Sequence, residues 1–417
     1  MSRFDNYFQM DLDDVIEYTL QKTKEIIDWD RESMKVIMPE EHGNLNYVYR
    51  VWDGKGHSIY IKQAGTATRI SKDWKPSTDR NRLESEIMIL EDKFAPGMVP
   101  HIYFYDTVMC ACGMEDCSDY AIMRDALLKH EIFPHFAEDI SSFMVNTLLL
   151  SSDVVMDHKE KKELVKKFIS PDLCDITEKL VLMEPYNDLS NRNNVFSPNA
   201  DFVKKELYSD EKLHLEVAKL KFKFMTAAQA LIHGDLHTGS IFIRQDSTKV
   251  FDSEFGTYAP MGYDVGNVVA NLIFAYDNGL AADATEFCDW VLDTIEKTID
   301  LFIEKFNKKF DEAATEPMAN VKGFKEWYLA DILNDTAGYA GTELHRRTVG
   351  MANVADVTTI ADEKKRLLAE RINIFAGKDY IINQISFRTG ADFVAAVKKA
   401  TEEAKKTLRY FSERRDE

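Results

Sequence analysis

The sequence is short of the residues that mark secreted, membrane-spanning or nucleic-acid-binding chains. Only 5 of its 417 residues are cysteine, at Cys110, Cys112, Cys117, Cys174 and Cys288, a usage that fits a reducing compartment. Three of them fall in Cys110-Ala111-Cys112-Gly113-Met114-Glu115-Asp116-Cys117. Structural zinc wants four ligands at paired spacings, and neither a second cysteine pair nor a nearby His-x3-His accompanies this run, so free thiols on a buried strand are expected. Positive charge is also scarce, with 52 basic against 71 acidic residues and a formal net charge of -19. No Lys/Arg cluster escapes its acidic neighbours, which argues against nucleic acid as a partner. Long apolar runs are missing too. The most apolar stretch, Val265 to Tyr276, is interrupted by Asn267 and Asn271 and is too short to span a bilayer. The start, Met1-Ser2-Arg3-Phe4-Asp5, has no secretory apolar core. A cytoplasmic protein away from the membrane is expected.

What is present is a soluble globular composition, 45% hydrophobic and 29% charged. A chain of 417 residues exceeds one ordinary core, so two or three compact units are expected. Residues 11–28 carry apolar positions at helical spacing. Three β-type runs follow, Lys35–Met38, Tyr47–Trp52 and Ser58–Gln63, joined by polar turns into an antiparallel meander. The first turn, Glu41-His42-Gly43-Asn44-Leu45-Asn46, could cover a phosphate, because Gly43 and Asn44 let backbone N–H groups approach an anion; an ordinary hairpin reads the same way. A helix is expected from Asp79, its buried stripe made by Leu83, Ile87 and Leu90, and two more strands at His101–Tyr105 and Val108–Met114. Five strands and one helix describe a kinase-type small lobe. In that setting Lys62, on the third strand, is a candidate phosphate-binding lysine, with Glu84 or Glu86 on the helix as its partner. The pattern alone does not choose between the two glutamates.

From about residue 125 the chain reads as helical, with a polar loop at 185–200 and a long helix through Leu213, Val217, Leu220, Phe224 and Leu231 running into His233-Gly234-Asp235. Asp235 sits in a turn before a short β-type run, and seventeen positions later Asp252-Ser253-Glu254 ends a second one. One carboxylate to orient a hydroxyl and an acidic pair to hold magnesium are what phosphoryl transfer requires. On an extended strand end Asp252 and Glu254 would face one side, and two like charges there call for a cation such as Mg2+. His237 reads as a turn hydrogen-bonder, and Asp264 as a helix cap that braces the catalytic turn. Arg346 and Arg347 lie in a largely apolar helix, where one can face a cleft while the other braces it, or both can serve a structural salt bridge.

At these residues the sequence resembles the 5-methylthioribose kinase family, in the aminoglycoside-phosphotransferase and choline-kinase branch of the protein-kinase-like fold. The resemblance is carried by Gly43-Asn44-Leu45-Asn46, Tyr60-Ile61-Lys62-Gln63-Ala64, Asp79–Ser85, Pro171–Glu178, His233–Phe242, Tyr263-Asp264-Val265-Gly266, Glu343–Thr348 and Val354-Ala355-Asp356. It implies an α+β, two-lobed fold: a small antiparallel N-lobe with one key helix over residues 1–116 and a large, mainly helical C-lobe over 117–417. It implies ATP-dependent phosphorylation of the C1 hydroxyl of 5-methylthioribose in methionine salvage, with Asp235 as base. Gly43, Asn44, Asn46 and Lys62, paired with Glu84, would attend the nucleotide phosphates, and Met114-Glu115-Asp116 the adenine. Asp252 and Glu254 would hold Mg2+, Arg346 and Arg347 the substrate, and the protein would be a homodimer. Ser240 stands where most kinases have a metal-binding Asn, and Asp-Ser-Glu replaces Asp-Phe-Gly.

Two rival readings have distinguishing features. A kinase of the same fold acting on choline, homoserine or an aminoglycoside would need acidic or aromatic cages for a cationic acceptor, which an arginine pair repels. A non-catalytic nucleotide-binding module would have no need for Asp235.

Overall fold

The structure, a computed structural model, describes residues 2–39, 46–65 and 79–415, with side chains from 81 to 408 in the last stretch. Gly43 and Asn44 of the expected phosphate-covering turn lie outside the described residues. The chain divides into two compact units, Met1–Tyr120 with Lys249–Gly256, and Ala121–Thr248 with Thr257–Glu417.

The first unit is an antiparallel sheet of five strands, β1 (Lys35–Ile37), β2 (Asn46–Trp52), β3 (Ser58–Ala64), β4 (Ile102–Asp106) and β5 (Ala111–Glu115), in the order β1-β2-β3-β5-β4. Helix α1 (Leu12–Thr23) begins with a reciprocal cap: Asp14 N–H donates to Asp11 Oδ1 at 2.8 Å, and Asp11 N–H donates to Asp14 Oδ2 at 3.2 Å. Its buried face sets Val15 and Tyr18 into a core with Tyr49, Val51, Ile59 and Ile61 from the sheet. Alternation on β3 buries Ile59 and Ile61 and leaves Tyr60 and Lys62 on the opposite face, as strand geometry demands. Helix α2 (Asp79–Phe94) buries Leu83, Glu84 and Ile87. Residues 249–256 return to this unit: Val250 N–H donates to Met98 O at 2.8 Å, and Lys249 Nζ donates to Glu115 Oε2 at 2.7 Å. Cys112 is buried on β5, where burial pushes its thiol up to about 12.

The second unit is mainly helical. In it are α3 (Met123–Leu127), α4 (Phe136–Leu150), α5 (His158–Lys167), α6 (Pro171–Ile176), α7 (Ala200–Val203) and α8 (Glu211–Thr226). Then come α9 (Gly262–Ala281), α10 (Thr285–Ala313), α11 (Phe324–Val349), α12 (Ala355–Thr358), α13 (Glu363–Ile382) and α14 (Gly390–Arg415). Two small ladders flank the turn at His233-Gly234-Asp235. Strand β7 (Ala230–Ile232) pairs antiparallel with β10 (Thr257–Ala259). Strand β8 (Ile241–Arg244) lies between β6 (Ala121–Ile122) and β9 (Ser247–Val250), and within β9 the chain passes from one unit to the other.

The apolar stretch Val265–Tyr276 is the middle of α9, buried all round at the centre of this unit. That is the behaviour expected of a helix without a polar face. Gly266 lets α9 and α11 meet backbone to backbone, since a Cβ there would stand 2.6 Å from Ala340 N and 2.7 Å from Thr336 O. This close approach fixes α11, which carries the arginine pair, against α9, which carries Asp264. Among the described residues no helix is long and apolar enough to cross a membrane.

The α+β architecture is as expected, a small antiparallel sheet with its helix followed by a mainly helical unit. Two local expectations fail. The long helix does not run into His233: it ends at Thr226, and Leu231 lies on β7, whose ladder partner is supplied by Thr257–Ala259. Strand β9 ends at Val250, and Asp252 is not extended. Its backbone is left-handed (φ +68°), followed by a 3-10 turn over Ser253–Phe255. Aspartate tolerates that region because its short side chain hydrogen-bonds locally. The alternation that was to aim both carboxylates to one side therefore does not apply.

Candidate active site

In the second unit the His233–Asp235 turn is held from behind by Asp264. Its Oδ2 accepts from His233 N–H at 2.7 Å and its Oδ1 from Gly234 N–H at 3.0 Å. Asp264 makes no capping bond to its own helix, so the bracing role stands and the capping role does not. Burial raises its carboxyl above the usual range, with the two backbone donors pulling the other way.

Asp235 projects from this turn, its side chain 22% exposed. Arg346 Nη2 donates to Asp235 Oδ1 at 2.6 Å, and Arg347 Nη2 reaches the same oxygen at 3.4 Å. His237 Nε2 lies 3.3 Å from Oδ2. Burial would raise Asp235, but His237 and the two guanidinium groups outweigh it and hold the carboxyl well below the usual carboxylate range. His237 is lowered, by burial first, despite the attraction of Asp235. Neutral imidazole with its proton on Nε2 can donate to Asp235 while Nδ1 accepts from Ser240 Oγ at 3.2 Å. Ser240 thus serves the histidine of the turn.

Both arginines converge on one buried acid that the sequence reading left without a role. Glu343 is fully buried and accepts from Arg346 Nε and, at 3.1 Å, from Arg347 Nε. A third arginine was missed altogether. Arg124 Nη2 donates to Asn271 Oδ1 at 3.1 Å, Arg124 Nε lies 3.4 Å from Asp356 Oδ2, and Asn271 Nδ2 lies 3.5 Å from Glu343 Oε1. Gly239 makes room for it: a Cβ there would fall 2.9 Å from both Arg124 Nη1 and His237 Cε1.

In the first unit Lys62 Nζ donates to Glu84 Oε1 at 2.6 Å and to Asp252 Oδ1 at 2.9 Å. Glu86 instead accepts from Arg82 at 2.7 Å. Burial would lower Lys62, but Asp252, Glu84 and Glu254 together raise it well above the usual range, so it is a cation at every ordinary pH. Asp252 is 42% exposed at its side chain and Glu254 is buried. Both are oxygen donors, the type a hard divalent cation takes, and Mg2+ typically uses one or two carboxylates with phosphate and water for the rest. Among the described residues there is no group of three or more His, Cys, Asp or Glu that could hold a metal ion.

Met114 and Glu115 end β5, and Asp116 follows. Their polar groups are engaged: Glu115 N–H donates to His101 O at 2.8 Å, and Asp116 Oδ2 accepts from Arg50 Nε at 2.7 Å. Asn46 is buried at the start of β2 opposite Ala64.

A methylthioribose kinase of Bacillus pumilus (strain SAFR-032) is 36% identical to this chain over 363 residues, 87% of this chain and 90% of that protein. A methylthioribose kinase of Bacillus cereus (strain 03BB102) is 39% identical over 340 residues, 81% and 85% of the two chains. The chain belongs to the methylthioribose kinase family. As a member it is a phosphotransferase with a hydroxyl acceptor, built on the α+β architecture described above. No family model matches the chain. Among solved structures, choline kinase from Cryptosporidium parvum Iowa II is similar at 11% identity and a TM-score of 0.48, covering 93% of this chain and 96% of its own. The ethanolamine kinase of Plasmodium vivax is similar at 14% identity and a TM-score of 0.45, covering 96% and 90%.

Proposed function

We propose that the protein transfers the γ-phosphoryl group of ATP to the C1 hydroxyl of 5-methylthioribose, giving the 1-phosphate and ADP. The observation that carries this reading is Asp235 on its braced turn, ionised and flanked by Arg346 and Arg347. The carboxylate is too weak a base to ionise a sugar hydroxyl beforehand. It accepts a hydrogen bond from the C1 hydroxyl, aims the oxygen, and takes the proton on Oδ as the bond to phosphorus forms and the bond to ADP breaks. Arg346 and Arg347 bind ring hydroxyls and favour charge developing on the transferring group. Lys62, fixed by Glu84, contacts the nucleotide phosphates. Asp252 and Glu254 would hold Mg2+, which when bound neutralises charge on those phosphates.

In this proposal Gly43, Asn44 and Asn46 attend the phosphates, and Met114, Glu115 and Asp116 the adenine, so that apart from the Mg2+ carboxylates Asp252 and Glu254 the nucleotide functions lie in residues 1–116 and the acceptor functions in 117–417. A homodimeric, cytoplasmic enzyme belongs to the same proposal; light scattering at twice the chain mass is the expected result for the dimer. The arginine pair disfavours a cationic acceptor such as choline or an aminoglycoside, because two guanidinium groups would face the acceptor's own charge. The deciding experiment measures ADP release from Mg-ATP with 5-methylthioribose, choline, homoserine and an aminoglycoside in parallel. Turnover confined to 5-methylthioribose is expected. Turnover with another acceptor instead would overturn the substrate, and silence with all four would favour a non-catalytic module.

A further inference from the structure

Glu343 is enclosed on every side, yet its two oxygens are divided between two arginines. Oε2 takes Arg346 Nε, Oε1 takes Arg347 Nε at 3.1 Å, and Asn271 Nδ2 stands 3.5 Å behind Oε1. Positions 343, 346 and 347 are i, i+3 and i+4 on α11, the spacings that bring helical side chains together. In both arginines the same division holds: Nε faces Glu343 and Nη2 faces Asp235 Oδ1. A guanidinium is planar, so fixing its Nε–H leaves the orientation of its Nη groups nearly settled. Two guanidinium groups are thereby balanced by two carboxylates, Glu343 behind and Asp235 in front.

We propose that Glu343 is the positioning residue that makes Arg346 and Arg347 one clamp, presenting their Nη groups together to Asp235 and to the acceptor. The proposal rests on the reading in which that pair serves the acceptor. A plain structural salt bridge would steady α11 whatever the arginines do. A positioning role requires the effect of Glu343 to pass through them.

That difference is measurable in the full-length protein as a mutant cycle on kcat and KM. In Glu343→Gln the amide offers one acceptor oxygen and one NH2 group, so it can satisfy one Nε–H and must oppose the other. Loss of one hydrogen bond between charged groups corresponds to about 100-fold in kcat/KM for the acceptor. The KM for ATP should stay within about twofold, since the clamp does not serve the nucleotide. In an Arg347→Ala background the amide has only Arg346 to serve, so the same substitution should cost less than about fivefold. An undiminished loss in that background would overturn the proposal, as would wild-type kcat/KM in Glu343→Gln alone. If Glu343→Gln shows no cooperative unfolding transition, Glu343→Asp takes its place. It keeps the charge, shortens the reach, and should cost roughly tenfold with the same shrinkage beside Arg347→Ala. The cycle is run on whichever acceptor the wild-type protein turns over. A wrong substrate assignment would therefore show in the wild type, and a wrong role for Glu343 only in the cycle.

Discussion

Removing the Asp264 carboxylate tests whether the turn that carries Asp235 is held by that one side chain. Asp264 is 2% exposed and accepts the backbone N–H groups of His233 and Gly234. In Asp264→Ala both donors are left buried without their acceptor, at about 1–3 kcal/mol each. Against that, the substitution removes a carboxylate that is itself costly to bury, as its raised pKa records. The balance is a net loss of about 2–4 kcal/mol, a large fraction of the 5–15 kcal/mol typical of a whole domain. Asp264→Asn keeps one acceptor oxygen and sets an NH2 against the other donor, so it should recover less than half. Asp235 is one residue beyond Gly234, so the loosened turn should also lower kcat by roughly tenfold or more, while ATP binding persists. Urea unfolding followed by tryptophan fluorescence, with turnover assayed in the same samples, reads both effects. A stability within about 0.5 kcal/mol of wild type together with full activity would show that the turn has another support.

Three further outcomes follow from the same geometry. Asp235→Ala should abolish turnover and leave ATP binding largely intact by calorimetry, and unchanged turnover would remove Asp235 from the mechanism. Because His237 and the arginines hold Asp235 well below the usual carboxylate range, kcat/KM should show no acid limb from it between pH 8 and 5; a protonation near pH 6 that vanishes in Asp235→Asn would contradict this. Asp335 is buried beside Lys223 and raised to about 7. Its folded value lies above its unfolded one, so its contribution to stability is fully present below about pH 4 and is lost as pH rises to about 7, at up to about 1.4 kcal/mol per unit. Asp335→Asn should flatten the pH dependence of the urea midpoint in that window, and an unchanged slope would assign it elsewhere.

Much of the site could be read from the sequence because its chemistry is local. Asp235 stands in a contiguous turn motif, and Lys62 is placed by strand alternation. What was misread depends on partners far along the chain. Ala230–Ile232 is too short to display any period, and only pairing with Thr257–Ala259 makes it a strand. Asp252 was assigned a direction by alternation, yet a single left-handed residue cancels that rule. Glu343 was missed for a different reason: a buried charge in a largely apolar helix looks like an interruption of a core until its partners are known. For Glu343 the i, i+3 and i+4 spacing to the arginines was a usable signal. Arg124 offered none, since Asn271 and Asp356 come from α9 and α12. The same logic predicts what Lys62→Met will do. Glu84 is 2% exposed and would lose its ammonium, which for a buried pair costs about 3–5 kcal/mol. Adding Glu84→Gln removes a buried charge that has lost its ammonium, so the double variant should be more stable than Lys62→Met alone while remaining inactive. If the second substitution instead lowers the urea midpoint further, Glu84 is stabilised chiefly by something other than Lys62, and the two do not act as a pair.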